Sequence, residues 1–168
     1  VDPAAAEETQ VIIVKEGGEC TLHQTDVSSA DQVQAMVNRC LEIYGRIDIL
    51  HNNVGILELG GAVETSEESW DRVNTVNLKS MFLTCKAVLP HMEQRRAGAI
   101  VNISSITALR YLGVPYIAYA ATKAAVIQLT QTIALEFADK NVRANVIVPG
   151  LMNTAMIVEP LKDAYGSG

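Results

Sequence analysis

The chain has 168 residues, a formal net charge of −6, and 49% hydrophobic against 19% charged residues. That balance suits one globular domain with a single sizeable core and excludes a disordered chain. An acidic total without a basic run argues against a nucleic-acid surface, and no apolar stretch approaches the roughly 20 residues of a membrane span.

No charged-then-apolar leader opens the chain, and no leader or anchor is expected. Cys20, Cys40 and Cys85 are odd in number, scattered and without metal-ligand spacing. They are expected to be buried, reduced thiols of a cytoplasmic protein. His23, His51 and His91 show no paired ligand pattern, so no metal is expected.

Taken in order, Asp2-Pro3 reads as a helix cap followed by proline at the first helical position, with a stop at Gly17-Gly18. Cys20 to Val27 is a short strand candidate. Ser28 and Asp31 suggest a capping box for a helix carrying Val33, Met36, Val37, Cys40, Leu41 and Tyr44 at helical spacing, closed by Gly45. A strand over Ile47 to Leu50 leads into His51-Asn52-Asn53-Val54-Gly55. Thr65 and Glu68 offer a second capping box, for one long helix reaching Arg95. Its apolar stripe runs through Trp70, Val73, Leu78, Met81, Phe82, Cys85 and Leu89 and is interrupted by Asn74 and Asn77.

After Gly98, residues Ala99 to Ile103 form a buried-type strand ending at Ser104-Ser105. A loop through Gly113 and Pro115 precedes a helix bearing Tyr119 and Lys123, and Val142 to Val148 is a strand broken by Pro149-Gly150. Alternating helices and short apolar strands predict an α/β fold with a doubly wound parallel sheet. Ligands of such sheets sit beyond the carboxyl ends of the strands, where Asp26, Asn53, Ser105 and Gly150 are expected.

The chemistry concentrates in Tyr119-x-x-x-Lys123. Positions i and i+4 of a helix share a face, so a phenol and an ammonium stand about one turn apart. A neighbouring cation favours phenolate and is expected to lower the tyrosine pKa from about 10 toward the working range. By itself the spacing has little weight: Tyr119 also suits a core-edge aromatic and Lys123 a solvated helix charge.

In order and separation, Asp26-Val27, Asn52-Asn53-Val54-Gly55, Asn77, Ser104-Ser105, Tyr119-x-x-x-Lys123 and Pro149-Gly150 with Thr154 resemble the motifs of the short-chain dehydrogenase/reductase family. The resemblance implies a Rossmann-like domain over residues 1–168, using NAD or NADP. It lacks the family's glycine-rich phosphate turn, the first βαβ unit and the last strand, so the chain is expected to be a piece of the fold that folds poorly alone. The implied reaction is hydride transfer between nicotinamide and a carbonyl or secondary alcohol. Tyr119 is then general acid/base, Lys123 its modulator and ribose ligand, Ser105 the anchor of the substrate oxygen, and Asn77 the holder of a water in the proton path.

Cofactor contacts carried over in the same way are Asp26, Val27, Asn53, Val54, Gly55, Pro149, Gly150, Met152 and Thr154, besides Tyr119 and Lys123. The implied partners are a small carbonyl or alcohol substrate and further copies of the chain, with the two long helices building a dimer or tetramer. Plainer readings stand beside these. Asn77 suits a buried amide with a structural partner, Ser104-Ser105 a strand terminator, Asn53–Gly55 a bare turn, and Pro149-Gly150 a strand-ending turn. Tyr111, Tyr116 and Met156 suit either a substrate border or inward packing. Two other functions stay open: a sugar-nucleotide epimerase or dehydratase, which the short loops disfavour, and an inactive interaction subunit.

Overall fold

The computed structural model describes residues 3–152; the expectations placed on Asp2, Thr154 and Met156 lie outside the described residues. Helix α1 spans Pro3–Lys15, and Gly17 follows at φ +84°, a left-handed position that glycine takes without strain.

The strand expected over Cys20–Val27 does not form, and residues 18–26 are irregular. A strand exists only where a neighbour supplies its ladder partners. Here side chains supply some of them: Gln10 Nε2 donates to the Cys20 carbonyl at 2.8 Å, and the Asp26 amide donates to Gln32 Oε1 at 2.8 Å.

Helix α2 spans Ala30–Tyr44 and is capped by Ser29, one residue later than expected, whose hydroxyl accepts from the Gln32 amide at 3.4 Å. Ser28 is instead engaged with the Asp26 carboxylate, through its amide at 2.9 Å and its hydroxyl at 2.6 Å. The next helix is likewise capped by Ser66, accepting from the Ser69 amide at 3.1 Å. Thr65 donates its hydroxyl to the Gly61 carbonyl at 2.8 Å.

The single long helix expected up to Arg95 is a composite. Helix α3 covers Glu67–Asn74, a π-helical turn covers Thr75–Lys79, and α4 covers Ser80–Arg95. A π turn winds the chain further per hydrogen bond and re-aims every side chain beyond it. Phe82 therefore falls to the outside, and Trp70, ahead of the turn, is exposed as well, whereas Val73, Asn77, Met81, Cys85 and Leu89 are buried.

Strands β1 (Ile49–Asn52), β2 (Gly98–Ile103) and β3 (Val142–Ile147) form a parallel sheet in that order. Asn52 lies opposite Asn102, which lies opposite Val146. Parallel neighbours need long crossovers; α3–α4 provide the first, and α5 (Ile117–Glu136) the second.

The core lies on one face of the sheet, where Val37 of α2, Val88, Leu89 and Met92 of α4 and Ile133 of α5 pack over Ile100 and Val142. Beneath the strand ends runs a buried polar layer. Thr84 donates to Asn52 Oδ1 at 2.8 Å, Asn52 Nδ2 to Asn102 Oδ1 at 2.8 Å, and Asn102 Nδ2 to Thr130 Oγ1 at 2.9 Å. These bonds tie α4 and α5 to the carboxyl ends of β1 and β2. The start of α5 is also tethered from outside the sheet, because the Ile117 amide donates to the Gly60 carbonyl at 3.0 Å.

Candidate active site

Two hydrogen bonds couple the end of β2 to one turn of α5. Ser104 Oγ donates to the Lys123 carbonyl at 2.6 Å, and Lys123 Nζ donates to the Ile103 carbonyl at 2.9 Å. The lysine is therefore no solvated helix charge; it is 3% exposed, and burial pulls its pKa down to about 8. Its Nζ stands 5.5 Å from the centroid of the Tyr119 ring.

Tyr119 is itself 7% exposed. Burial pushes the phenol above its ordinary value, and a side-chain hydrogen bond with Ser105 pulls it part of the way back. This reverses the direction expected from the Tyr119–Lys123 spacing. The ammonium lies over the ring face, and removal of the phenol from water dominates.

Ser105 is held in turn. Its Oγ accepts from the Thr107 amide at 3.3 Å, which caps a short 3-10 turn over Ile106–Ala108. The Ile106 amide donates to the Pro149 carbonyl at 2.9 Å and so brings Pro149-Gly150 alongside.

Asn77 sits in the π turn and is fully buried. Its Oδ1 accepts from the Ile56 amide at 2.8 Å, and its Nδ2 donates to the Ile56 carbonyl at 2.9 Å and to Thr122 Oγ1 at 3.4 Å. The side chain thus has the structural partner that burial requires, and it clamps the Asn53–Gly55 turn against α5. A Cβ on Gly55 would stand 3.4 Å from both Asn77 Oδ1 and Lys123 Nζ, so this turn faces the lysine closely.

Asn53, Gly55, Ser104, Ser105, Tyr119, Lys123, Pro149, Gly150 and Met152 line one cavity of about 270 Å³. Val27 and Val54 lie elsewhere, on a cleft with Leu22, Met36 and Pro3. Asp26 is outside both; the Ser28 hydroxyl and amide hold its carboxyl below the usual range. Tyr116 packs inward at 4% exposure, edge-on to Tyr119, while Tyr111 is exposed.

Sequence reasoning missed three roles. Ser104 reads as a spare serine beside Ser105, yet it fixes the helix backbone. The Ile103 and Ile56 main-chain groups hold Lys123 and Asn77, and backbone partners leave no trace in residue type.

The cavity suits the nicotinamide ribose of a dinucleotide. Among the described residues, Lys123 spends one of its three N–H donors on Ile103, leaving the others for hydroxyl groups. A Cβ at Gly150 would meet nothing within 4 Å, so the wall there is open for a ring to lie against. Among the described residues no group of three or more His, Cys, Asp or Glu side chains is placed to hold a metal, and no helix is long and apolar enough to cross a membrane.

The parallel α/β sheet thus carries a buried Tyr119–Lys123 pair and Ser105 at the carboxyl edge of its strands. The chain belongs to the short chain dehydrogenase family, whose model matches residues 2–164.

Among curated relatives, the 3-oxoacyl-[acyl-carrier-protein] reductase FabG of Thermotoga maritima is 42% identical over 131 residues, 78% of this chain and 53% of its own length. A short-chain dehydrogenase/reductase structure from Burkholderia xenovorans superposes with a TM-score of 0.91 at 41% identity, covering 99% of this chain and 63% of that one. A structure of ElxO with NADP bound gives a TM-score of 0.79 at 38% identity, covering 88% and 59%. The chain thus spans about half the length of the curated relative it matches.

Proposed function

We propose that the intact protein is an NAD(P)-dependent oxidoreductase that interconverts a carbonyl compound and a secondary alcohol. The observation that carries this reading is the single cavity onto which Ser105, Tyr119 and Lys123 all open. Family membership and a relative holding NADP support it. A bound nicotinamide supplies or accepts the hydride.

The remaining work falls to this chain's own groups. Ser105, one lone pair of its hydroxyl engaged by the Thr107 amide, turns its hydroxyl proton toward the substrate oxygen. Tyr119 gives a proton to that oxygen in reduction and takes it in oxidation. Lys123 holds the ribose hydroxyls and, when charged, favours the phenolate. Asn77 keeps the turn at Gly55 seated and, through the turn it sits in, stations a water that reaches Lys123.

Asn53, Gly55, Pro149, Gly150, Met152 and Thr154 border the nicotinamide half, whereas Asp26, Val27 and Val54 serve the adenine half. The protein works in the cytoplasm as a dimer or tetramer built on the outer faces of α3–α4 and α5, where Phe82 and Leu135 are exposed. An inactive interaction subunit is disfavoured by the assembled Ser105–Tyr119–Lys123 set. A sugar-nucleotide epimerase is disfavoured by relatives named as reductases.

The test is titration of the intact protein with NADH and NADPH, followed by nicotinamide fluorescence or calorimetry, then turnover of a ketone panel. Saturable binding of at least one of the two nucleotides, with ketone-dependent oxidation of it, is expected. Absence of binding to both would remove the reading.

A further inference from the structure

The cavity of about 270 Å³ that holds Ser105, Tyr119 and Lys123 has a neighbour of about 400 Å³, walled by Val114, Tyr116 and Ala120. Between them lies a gap of only about 20 Å³. Ser105, Tyr119 and Gly150 line both the first cavity and the gap, whereas Tyr116 lines both the gap and the larger cavity. The larger cavity has the ~300–1,000 Å³ of a small-molecule site. The gap is far tighter: roughly 10–15 Å³ holds one water, and an apolar space of about 150 Å³ takes a benzene ring.

Leu57, Leu112 and Tyr116 give the gap its bulk, and Leu57 packs against the buried cluster of Val114, Tyr116 and Tyr119. The chain around Leu57 is fastened on both sides. Asn77 holds the amide and carbonyl of Ile56 at 2.8 and 2.9 Å. Glu58 accepts from the Ser69 hydroxyl at 2.6 Å and pairs with Arg72 at 3.2 Å. The Gly60 amide donates to the Pro115 carbonyl at 2.9 Å. With residues 56, 58 and 60 all tied down, the Leu57 side chain has little room to yield to a bulky neighbour.

We infer that Leu57 is a specificity-determining residue, a sieve that sets how thick a substituent the substrate extends from Tyr119 toward the larger cavity. A thin substituent passes, and one that is branched or ring-bearing close to the carbonyl is rejected. This rests on the oxidoreductase reading and adds the steric class of substrate.

The test uses the intact enzyme and two isomeric ketones, dibutyl ketone and diisobutyl ketone. Each carries the same group on both sides of its carbonyl, so either orientation presents the gap with the same group. The wild type should prefer dibutyl ketone. Leu57→Ala widens the gap, so the kcat/KM ratio of diisobutyl to dibutyl ketone should rise by about tenfold or more, the scale of discrimination that one methylene gives in an apolar pocket. Leu57→Phe should move the ratio the opposite way. Leu57→Val keeps most of the packing and should move it in the same direction as Leu57→Ala, by less; it carries the test if Leu57→Ala does not fold.

Nucleotide affinity should hold in all three variants, because Leu57 does not line the cavity around Lys123. A ratio unchanged in Leu57→Ala and Leu57→Val, a wild type indifferent to branching, or a wild type that reduces neither isomer would each overturn the sieve. The oxidoreductase reading falls only if the intact protein also binds neither NADH nor NADPH.

Discussion

The hydroxyl of Ser104 donates to the main-chain carbonyl of Lys123 at 2.6 Å, while the side chain of the same lysine donates back to Ile103 at 2.9 Å. Strand end and helix turn are thereby stitched at two points on the wall of the cavity that Ser105 and Tyr119 line. A rigid element holds a reacting group better than a loop does, and misplacement by about 1 Å can cost up to 10²-fold in rate.

Ser104→Ala should therefore act on both stability and rate. Loss of one buried hydrogen bond should cost about 1 kcal/mol in chemical denaturation. The drop in kcat should exceed any change in cofactor affinity, because the helix turn drifts while the cavity persists. Ser105→Ala should divide differently, with a smaller stability loss, since its bond from the Thr107 amide is long at 3.3 Å, and a large loss of turnover. Matching stability losses in the two variants would count against separate roles.

The polar layer below the site should be costly to break. Asn102 is fully buried and bonds Asn52 on one side and Thr130 on the other. Asn102→Ala leaves two buried groups short of a partner, for an expected loss of about 2–3 kcal/mol. Urea denaturation reads this directly, and a loss within a few tenths of a kcal/mol (well under the ~1 kcal/mol of a single hydrogen bond) would show the layer to be dispensable.

Stability should also carry the signature of the buried lysine. Lys123 gives up its proton at about pH 8 in the folded chain, against an ordinary value of 10.5. Between those values the unfolded chain binds more protons, so stability rises with pH from about 8 upward. The Cys85 thiol works the other way. Burial raises it from 9.0 to about 11, so the unfolded chain ionises first and stability falls across that interval. A net rise is thus expected between pH 8 and pH 9, flattening above. Urea midpoints measured across this range test it, and Lys123→Met should abolish the rise. A rise unchanged in Lys123→Met would assign it to another group.

The grouping of much of the candidate site was legible in the sequence because it follows from side-chain types at fixed spacing. Tyr119, Lys123, Ser105, Asn53, Gly55, Gly150 and Met152 do share one cavity. What escaped depends on neighbours.

Residues Cys20 to Val27 have strand composition, but a strand is a property of a pair, and they lack a ladder partner among the described residues. Ser28 and Thr65 fit a capping pattern as well as Ser29 and Ser66 do; which one caps depends on whether another acceptor, the Asp26 carboxylate or the Gly61 carbonyl, claims the hydroxyl first. The π turn at Thr75–Lys79 is invisible to periodicity because the windows on either side both read as helix. The direction of the Tyr119 shift could not be read from spacing, since burial sets it and only the fold sets burial.

The central claim is that Tyr119 carries the proton while the rest of the cavity holds the nucleotide. Tyr119→Phe keeps the ring and removes only the hydroxyl, so the decisive measurement is turnover of this variant beside its NAD(P)H affinity. Turnover should fall by about 10²–10⁴, the usual contribution of a positioned acid/base group, with nucleotide affinity preserved. A phenylalanine variant that keeps most of its turnover, or loses nucleotide binding in step with it, would contradict the account.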